Sequence, residues 1–305
     1  MRRPDPVGRV LVVGDVMTDI ICKPEGPLVV GSDRRALIRM RPGGSGANQA
    51  VWMAAFGLDV RFAGRVAAAD VSMLSARFSA DGVEAALGAD RQLPSGMIVT
   101  VVGDDGERSF LTDRGANAAL GPEDLPASLL DGRQVLVVSG YALFEPGPRA
   151  AVMALFEVAR RRGIPITVDP ASTGFLREVG PKNFLAWTEA ATTIFANAAE
   201  AELLTGETTP EAQMRSLGGT YANVALKLGA DGAAVGGEAG IRLRLAARKV
   251  PVVDSTGAGD AFAAAFVAAE LEGEELELCL ARAIAAGSEA VTHIGARPPA
   301  AGQRP

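Results

Sequence analysis

Short apolar runs rich in Val and Ile punctuate the chain at 9–14, 60–66, 134–140, 165–169, 192–197 and 223–229, most of them closed by Gly, Asp or Asn. Between them lie stretches with helical patterning at 46–56, 71–81, 149–162, 198–205, 258–272 and 275–291. An unbroken apolar strand has both of its faces buried. Strands of this kind alternating with helices predict a mostly parallel sheet covered by helices on both sides. Two stretches, 20–40 and 95–114, break the rhythm with alternation and turns, including Gly103-Asp104-Asp105-Gly106 between 97–102 and 108–112. They predict a small antiparallel flap at the edge of the main sheet. Ligands of open α/β sheets sit at the carboxyl ends of the strands, where such a flap closes over them. The Pro- and Gly-rich stretch 297–305 reads as a disordered tail.

Composition sharpens this picture mainly by exclusion. With 48% hydrophobic and 22% charged residues the chain is globular. Its 305 residues suit two ordinary domains or one large α/β domain, and no repeat or linker divides them. Thirty Lys and Arg against 36 Asp and Glu give a net charge of −6, so the chain as a whole has no attraction for nucleic acid. The single histidine, His293, excludes Ser-His-Asp or Cys-His catalysis unless that one residue serves, and excludes zinc sites built from several histidines. Cys22 and Cys279 show no metal spacing and suit a reducing compartment. Residues 1–9 lack the apolar core of a signal peptide, and no apolar run is long enough to span a bilayer. The expectation is a soluble cytoplasmic protein.

The segment richest in chemistry is Asp254-Ser255-Thr256-Gly257-Ala258-Gly259-Asp260-Ala261-Phe262. Gly257, Ala258 and Gly259 have almost no side chains, so their backbone N–H groups can converge on one anion at the start of a helix, whose dipole also favours negative charge. Asp260 sits beside that nest. A well-placed carboxylate there suits removal of a proton from a hydroxyl attacking a phosphoryl group. The plainer alternative is an ordinary first-turn acid with glycines that only permit tight packing.

A second string, Gly43-Gly44-Ser45-Gly46-Ala47-Asn48-Gln49-Ala50, also opens a helix. Its paired glycines let backbone approach a polyol, and Asn48 can donate and accept toward neighbouring hydroxyls; the alternative is a glycine hinge with Asn48 in solvent. Asp15 and Asp19 follow the first strand, Asp15 with a bland reading as a strand-end turn acid. Asn197-Ala198-Ala199-Glu200 reads alone as a helix start with Asn197 as N-cap. Lys227-Leu228-Gly229-Ala230-Asp231-Gly232 reads alone as a turn.

Together, in this order, these strings resemble the ribokinase-type sugar kinases, the family that includes the B-type phosphofructokinases. The resemblance extends over about 10–295. It implies an α/β fold, a three-layer αβα sandwich with a mostly parallel central sheet and a small β-lid, formed by one domain spanning 1–305. It implies transfer of the ATP γ-phosphoryl group to a hydroxyl of a small carbohydrate. Asp260 would be the general base, and the amides from Gly257 to Asp260 the anion hole. The sugar would be held by Asp15, Asp19, Gly43, Gly44, Ser45 and Asn48, with Asp19 matching by spacing the acid that holds two sugar hydroxyls. The nucleotide would meet Asn197, Glu200, Lys227, Gly229 and Gly232. Mg²⁺ would ride on the phosphates, with Glu200 acting through water. Asp254 and Thr256 match part of a monovalent cation (K⁺) site, completed by carbonyls near Ala290 and Gly295.

The chain departs from ribokinase itself at several points. Pro299 stands where that enzyme has a serine ligand, Met17 replaces an Asn that contacts the sugar, and Ser45 replaces a Lys. Ribose is therefore not the expected acceptor. Arg114 is placed like an arginine that reads acidic or phosphorylated sugars, or else is a solvated lid residue. Asp169-Pro170-Ala171-Ser172-Thr173 lacks the Arg usual in keto-deoxy-gluconate kinases. Tyr141 is expected to reach the sugar pocket or to be a core-edge aromatic, and His293 to be a helix-end residue. Two alternatives stay open: a nucleoside kinase, for which the lid offers chiefly Phe110 as a stacking aromatic, and a non-catalytic sugar-binding regulator. The apolar strand 97–102 points to a homodimer through the lid.

Overall fold

The computed structural model describes residues 8–103 and 108–299. The strands in chain order are β1 (Arg9–Val13), β2 (Met17–Pro24), β3 (Ala36–Gly43), β4 (Asp59–Ala67), β5 (Val83–Asp90), β6 (Gly96–Val102), β7 (Arg108–Asp113), β8 (Val135–Ser139), β9 (Ile166–Asp169), β10 (Thr193–Asn197), β11 (Asn223–Lys227), β12 (Ala233–Gly237) and β13 (Gly240–Leu245). The helices are α1 (Ser45–Ala55), α2 (Val71–Ala80), α3 (Pro146–Arg161), α4 (Thr173–Val179), α5 (Pro181–Trp187), α6 (Ala198–Thr205), α7 (Pro210–Gly218), α8 (Ala258–Leu271) and α9 (Leu276–Ala290).

A nine-stranded sheet runs in the order β13-β12-β11-β10-β9-β8-β1-β4-β5. Its pairs are parallel except β11 with β12 and β12 with β13. The unbroken apolar strands sort their side chains between two cores. Val10 and Val12 of β1 face the core shared with α1, α2, α8 and α9, whereas Leu11 and Val13 face the core under α3 to α7. Strand β8 does the same, with Val135 and Val137 on one side and Leu136 and Val138 on the other. This is the three-layer αβα sandwich that the patterning predicts. Helix α8 is buried from Ala261 through Ala269, and small side chains let it pack closely between α9 and α1.

A second sheet of four strands, β3-β2-β6-β7, forms the lid. It differs from the antiparallel flap predicted. Two hairpins, β2/β3 and β6/β7, are antiparallel within themselves, but β2 and β6 join them as a parallel pair. The reason is topological: the hairpins come from separate parts of the chain and meet side by side. The lid also reaches further than 20–40, since β2 begins at Met17 and β3 ends at Gly43, which brings Asp19 and Gly43 into it.

Patterning missed β5, the β12/β13 hairpin and the short helices α4, α5 and α7. β5 and β12 are built from Ala and Gly more than from β-branched residues, and α4 and α5 span seven residues each. Of the predicted lid turn, Asp104, Asp105 and Gly106 lie outside the described residues, as does 300–305 of the predicted tail. No helix among the described residues is long and apolar enough to cross a membrane.

Candidate active site

Five neighbouring strands, β1, β8, β9, β10 and β11, end on one side of the sheet. Each delivers a polar side chain at or just past its carboxyl end: Asp15, Tyr141, Asp169, Asn197 and Lys227. Such an edge is where open parallel sheets bind ligands.

Helix α1 rests backbone to backbone on the end of β1. A Cβ at Gly46 would lie 2.6 Å from Gly14 Cα, and one at Gly44, where φ is 93°, would lie 2.5 Å from the Asp15 carbonyl oxygen. The Asp15 carboxylate accepts from the Ser45 and Gly46 amides at 3.3 and 3.2 Å, and from Ser139 Oγ at 3.4 Å. It therefore neutralises the donor end of α1 while also facing the cavity described below. Asp19 projects from β2 against Gly43, filling the space a side chain there would need. Its Oδ1 is buried without a protein partner. Burial pushes its carboxyl up to about 6, the neighbouring Asp15 adds to the shift, and Arg297 opposes it.

Helix α8 begins at Gly257, whose φ of 79° is left-handed and whose Cβ, if present, would lie 2.5 Å from the Ala296 carbonyl oxygen. One turn on, Asp260 meets three donors from α1. Its Oδ1 accepts from Ser45 Oγ at 2.7 Å and Gln49 Nε2 at 3.2 Å, and its Oδ2 accepts from Asn48 Nδ2 at 3.2 Å. Burial pushes Asp260 up to about 7; the Ser45, Asn48 and Gln49 donors pull it down and Asp169 pushes it further up. A carboxylate poised there is matched to general-base work near neutrality. Gln49 went unassigned in the sequence although it lies in the glycine string, one turn past Ser45 and on the same face.

Lys227 Nζ donates to Asp169 Oδ2 at 2.7 Å. Burial alone would lower the ammonium's pKa, but Asp169 and Glu200 more than offset it and hold it raised. Nζ lies 3.2 Å from where a Gly259 Cβ would stand, so the cation reaches the start of α8. Asn197 and Glu200 form a reciprocal cap on α6: the Glu200 amide donates to Asn197 Oδ1 and the Asn197 amide to Glu200 Oε2, both at 2.9 Å. The plain helix-start reading of that string is thus realised, and both residues also face the cavity. Glu200 is 3% exposed, and burial raises its pKa against the pull of Lys227. Gly229 and Gly232 shape the turn after β11 with φ of 61° and 92°.

Two cavities meet here. The larger, about 840 Å³, lies under the lid and is lined by Asp15, Asp19, Asn48, Tyr141, Glu200 and Asp260 among others. The smaller, about 580 Å³, runs from the Gly229–Gly232 turn along α9. Among the described residues they share Lys227 and Gly259. Ala171, the one non-glycine residue described with positive φ (69°), lines the larger cavity beside Asp169. Arg114 lies behind the wall: its Nη2 donates to the Tyr141 carbonyl at 2.9 Å and its guanidinium stacks on that ring, so it props Tyr141.

Asp254 ties the α8 turn to the segment after α9, accepting from the Thr256 amide at 3.0 Å and the Gly295 amide at 3.1 Å. His293 Nε2 lies 3.1 Å from the Arg297 carbonyl oxygen. The tail predicted from 297 does not begin there, because the Arg297 guanidinium reaches Asn48 and Asp81. Asp169, Gln49 and Arg297 are the site residues that sequence reasoning left without a role. No group of three or more His, Cys, Asp or Glu side chains among the described residues is placed to hold a metal ion. The carboxylate of Glu200 beside Lys227 fits an ion that arrives with phosphates and water.

Residues 7–301 match the pfkB family of carbohydrate kinases, and the chain belongs to that family. It is an ATP-dependent sugar kinase, a phosphotransferase with an alcohol group as acceptor. The chain is 31% identical to the ATP-dependent ribose-1-phosphate kinase of Halopiger xanaduensis, over 95% of this chain and 94% of that one. It is 34% identical to the bifunctional protein HldE of Pseudomonas savastanoi pv. phaseolicola, over 94% of this chain but only 60% of that longer protein. Among solved structures it resembles adenosine kinase from Sinorhizobium meliloti, with a TM-score of 0.85, 25% identity, and coverage of 95% and 96% of the two chains.

Proposed function

We propose that the whole chain is one kinase domain, with lid segments 17–43 and 96–113 inserted in it, that phosphorylates a small carbohydrate held in the larger cavity, using ATP held in the smaller. The observation that carries this reading is the junction. The cavities meet at Lys227 and Gly259, and Asp260 stands beside that meeting point with its carboxylate held by Ser45, Asn48 and Gln49.

An acceptor sugar lying under the lid presents hydroxyls to Asp19, whose Oδ1 has no protein partner, and to Asp15 and Asn48. Asp260 takes the proton of the attacking hydroxyl as the oxygen closes on the γ-phosphorus, and the bond from that phosphorus to the β,γ-bridging oxygen breaks to release ADP. The amides from Gly257 to Asp260 and the Lys227 ammonium meet the charge that spreads over the transferred group. Mg²⁺ bound with the phosphates supplies charge neutralisation, and Glu200 would orient its water shell. Asp254 and Thr256 are the residues that would hold K⁺, from the turn that also places Gly257.

A nucleoside acceptor is the second reading. Phe110, Tyr141 and Phe175 line the larger cavity and offer faces on which a base can stack. The Sinorhizobium meliloti structure named an adenosine kinase points the same way.

The lid's outer face carries Ile20, Ile38, Met40, Met97, Val99 and Leu111 in register, with Met40 and Leu111 each 65% exposed. It suits a second copy of the chain, and Met40→Lys is expected to shift a dimer to monomer in sedimentation. A cytoplasmic location is in keeping with the dependence on ATP.

The test of function is an ATP-consumption screen over ketoses, aldoses, acidic sugars, sugar phosphates including ribose-1-phosphate, and ribosides, with Asp260→Asn as control. Turnover on one class assigns the acceptor. Tight sugar binding with no turnover on any class would instead identify a regulator.

A further inference from the structure

Arg297 stands where the two motif helices come together. Its Nε donates to Asn48 Oδ1 at 3.4 Å, its Nη1 to Asp81 Oδ2 at 3.2 Å, and its guanidinium lies 5.6 Å from the centroid of the Phe78 ring. The side chain is 11% exposed. The residues before it are tied down as well. The Ala296 carbonyl accepts from Trp52 Nε1 at 2.9 Å, Gly295 donates to Asp254, and Ala296 occupies the space beside Gly257. The strap 295–297 therefore touches α1, the Asp254 turn and the start of α8 at once.

The chemistry of an amide makes one of these contacts decisive. Asn48 has an oxygen that only accepts and an NH₂ that only donates. With the Arg297 donor on Oδ1, Nδ2 faces Asp260 Oδ2. The reversed amide would set oxygen against a carboxylate and NH₂ against a guanidinium, and both contacts repel. Ser45 and Gln49 bond Oδ1 of Asp260, whereas Asn48 bonds Oδ2. The two carboxylate oxygens are thus distinguished by the amide that Arg297 orients.

We infer that Arg297 is a positioning residue for phosphoryl transfer: it locks the Asn48 amide with its donor toward Asp260 and so fixes the aim of the base. The inference rests on the assignment of Asp260 as base. Other charged or titratable groups face Asp260 from Asp169 on β9, Lys227 on β11 and Tyr141 after β8, and the test leaves all three intact.

The test is a double-mutant cycle with Arg297→Met and Asn48→Ala. It reads kcat on the acceptor found by the screen, together with the Asp260 carboxyl titration followed by NMR on the apo protein. Arg297→Met alone is expected to lower kcat about tenfold and to move the Asp260 titration upward. In the Asn48→Ala background the same substitution is expected to cost less than about twofold. Arg297→Lys keeps the charge but not the planar fork, and is expected to lose about threefold with the same dependence on Asn48. It serves as the measured variant if Arg297→Met does not fold. Costs that multiply in the double variant, or an unmoved titration, would overturn the inference. Near-normal turnover by Asp260→Asn would overturn the base assignment itself, whereas an inactive Asp260→Asn with multiplying Arg297 and Asn48 costs overturns only the role of Arg297.

Discussion

The larger cavity is walled mainly by carboxylates and other directional polar side chains, whereas the smaller combines small and aliphatic residues with the cations Lys227, Arg248 and Lys249. Asp15, Asp19, Asn48, Asp169 and Asp260 face the first; Gly229, Gly232, Val250, Ile284 and Gly287 are typical of the second. The difference fits the proposed assignment, with the acceptor in the larger cavity and ATP in the smaller. A polyol is recognised hydroxyl by hydroxyl, which takes directional groups held in place by buried partners. A flat, apolar base needs shape, and phosphates suit backbone amides and cationic side chains. Among the described residues only Lys227 and Gly259 face both, so the comparison can be broken at one charge and one glycine.

The largest expected effect is on the chemical side. Asp260→Asn should lower kcat about a thousandfold while leaving sugar affinity, measured by calorimetry, within about threefold. Retained turnover would overturn the assignment of Asp260 as the base. Lys227→Met comes next. Because it faces both cavities, it should lower kcat about a hundredfold and raise the KM for ATP together, while leaving sugar affinity in place. A change in one parameter alone would assign it to a single cavity. Ser288→Tyr, which narrows the smaller cavity from α9, should raise the KM for ATP about tenfold with kcat and sugar KM nearly unchanged.

The smallest effect is on stability, and its sign is set by burial. Asp260 titrates near 7 in the folded protein against 3.8 for the free side chain, so the fold binds the extra proton between those limits. Stability therefore falls as pH rises through that window, and Asp19, at about 6, acts in the same direction. Thermal scans of the apo protein should show Asp260→Asn melting roughly 2–5 °C above wild type at pH 8, with the gap closing by pH 4. A gap independent of pH would mean that Asp260 pays no desolvation cost in the fold.

The same contrast explains what could be read from the chain alone. Asp260, Asp15 and Asn48 could be singled out because their chemistry is in the side chain and they stand in glycine-containing strings, whereas Asp19 entered only through its spacing in the family resemblance. The sandwich was legible because Val10 to Val13 have no polar face to offer solvent. The smaller cavity left little trace. Ile284, Gly287 and Val291 read as an ordinary apolar helix, and only the fold sets them opposite Gly229. Asp169 lies among motif residues yet has meaning only through Lys227, 58 positions away. Arg297 was hidden by the prolines after it, which signal a tail by composition, while its partners Asn48 and Asp81 are remote in sequence.

The lid and the donors that hold the Asp260 carboxylate are one continuous piece of chain. β3 of the lid runs into Gly43 and Gly44, and Ser45, the next residue, already holds the Asp260 carboxylate. Only Gly44 separates β3 of the lid from α1, the helix that carries Ser45, Asn48 and Gln49. An acceptor held by Asp19 of the lid would act on those three side chains through this short link, and water in the same cavity would not.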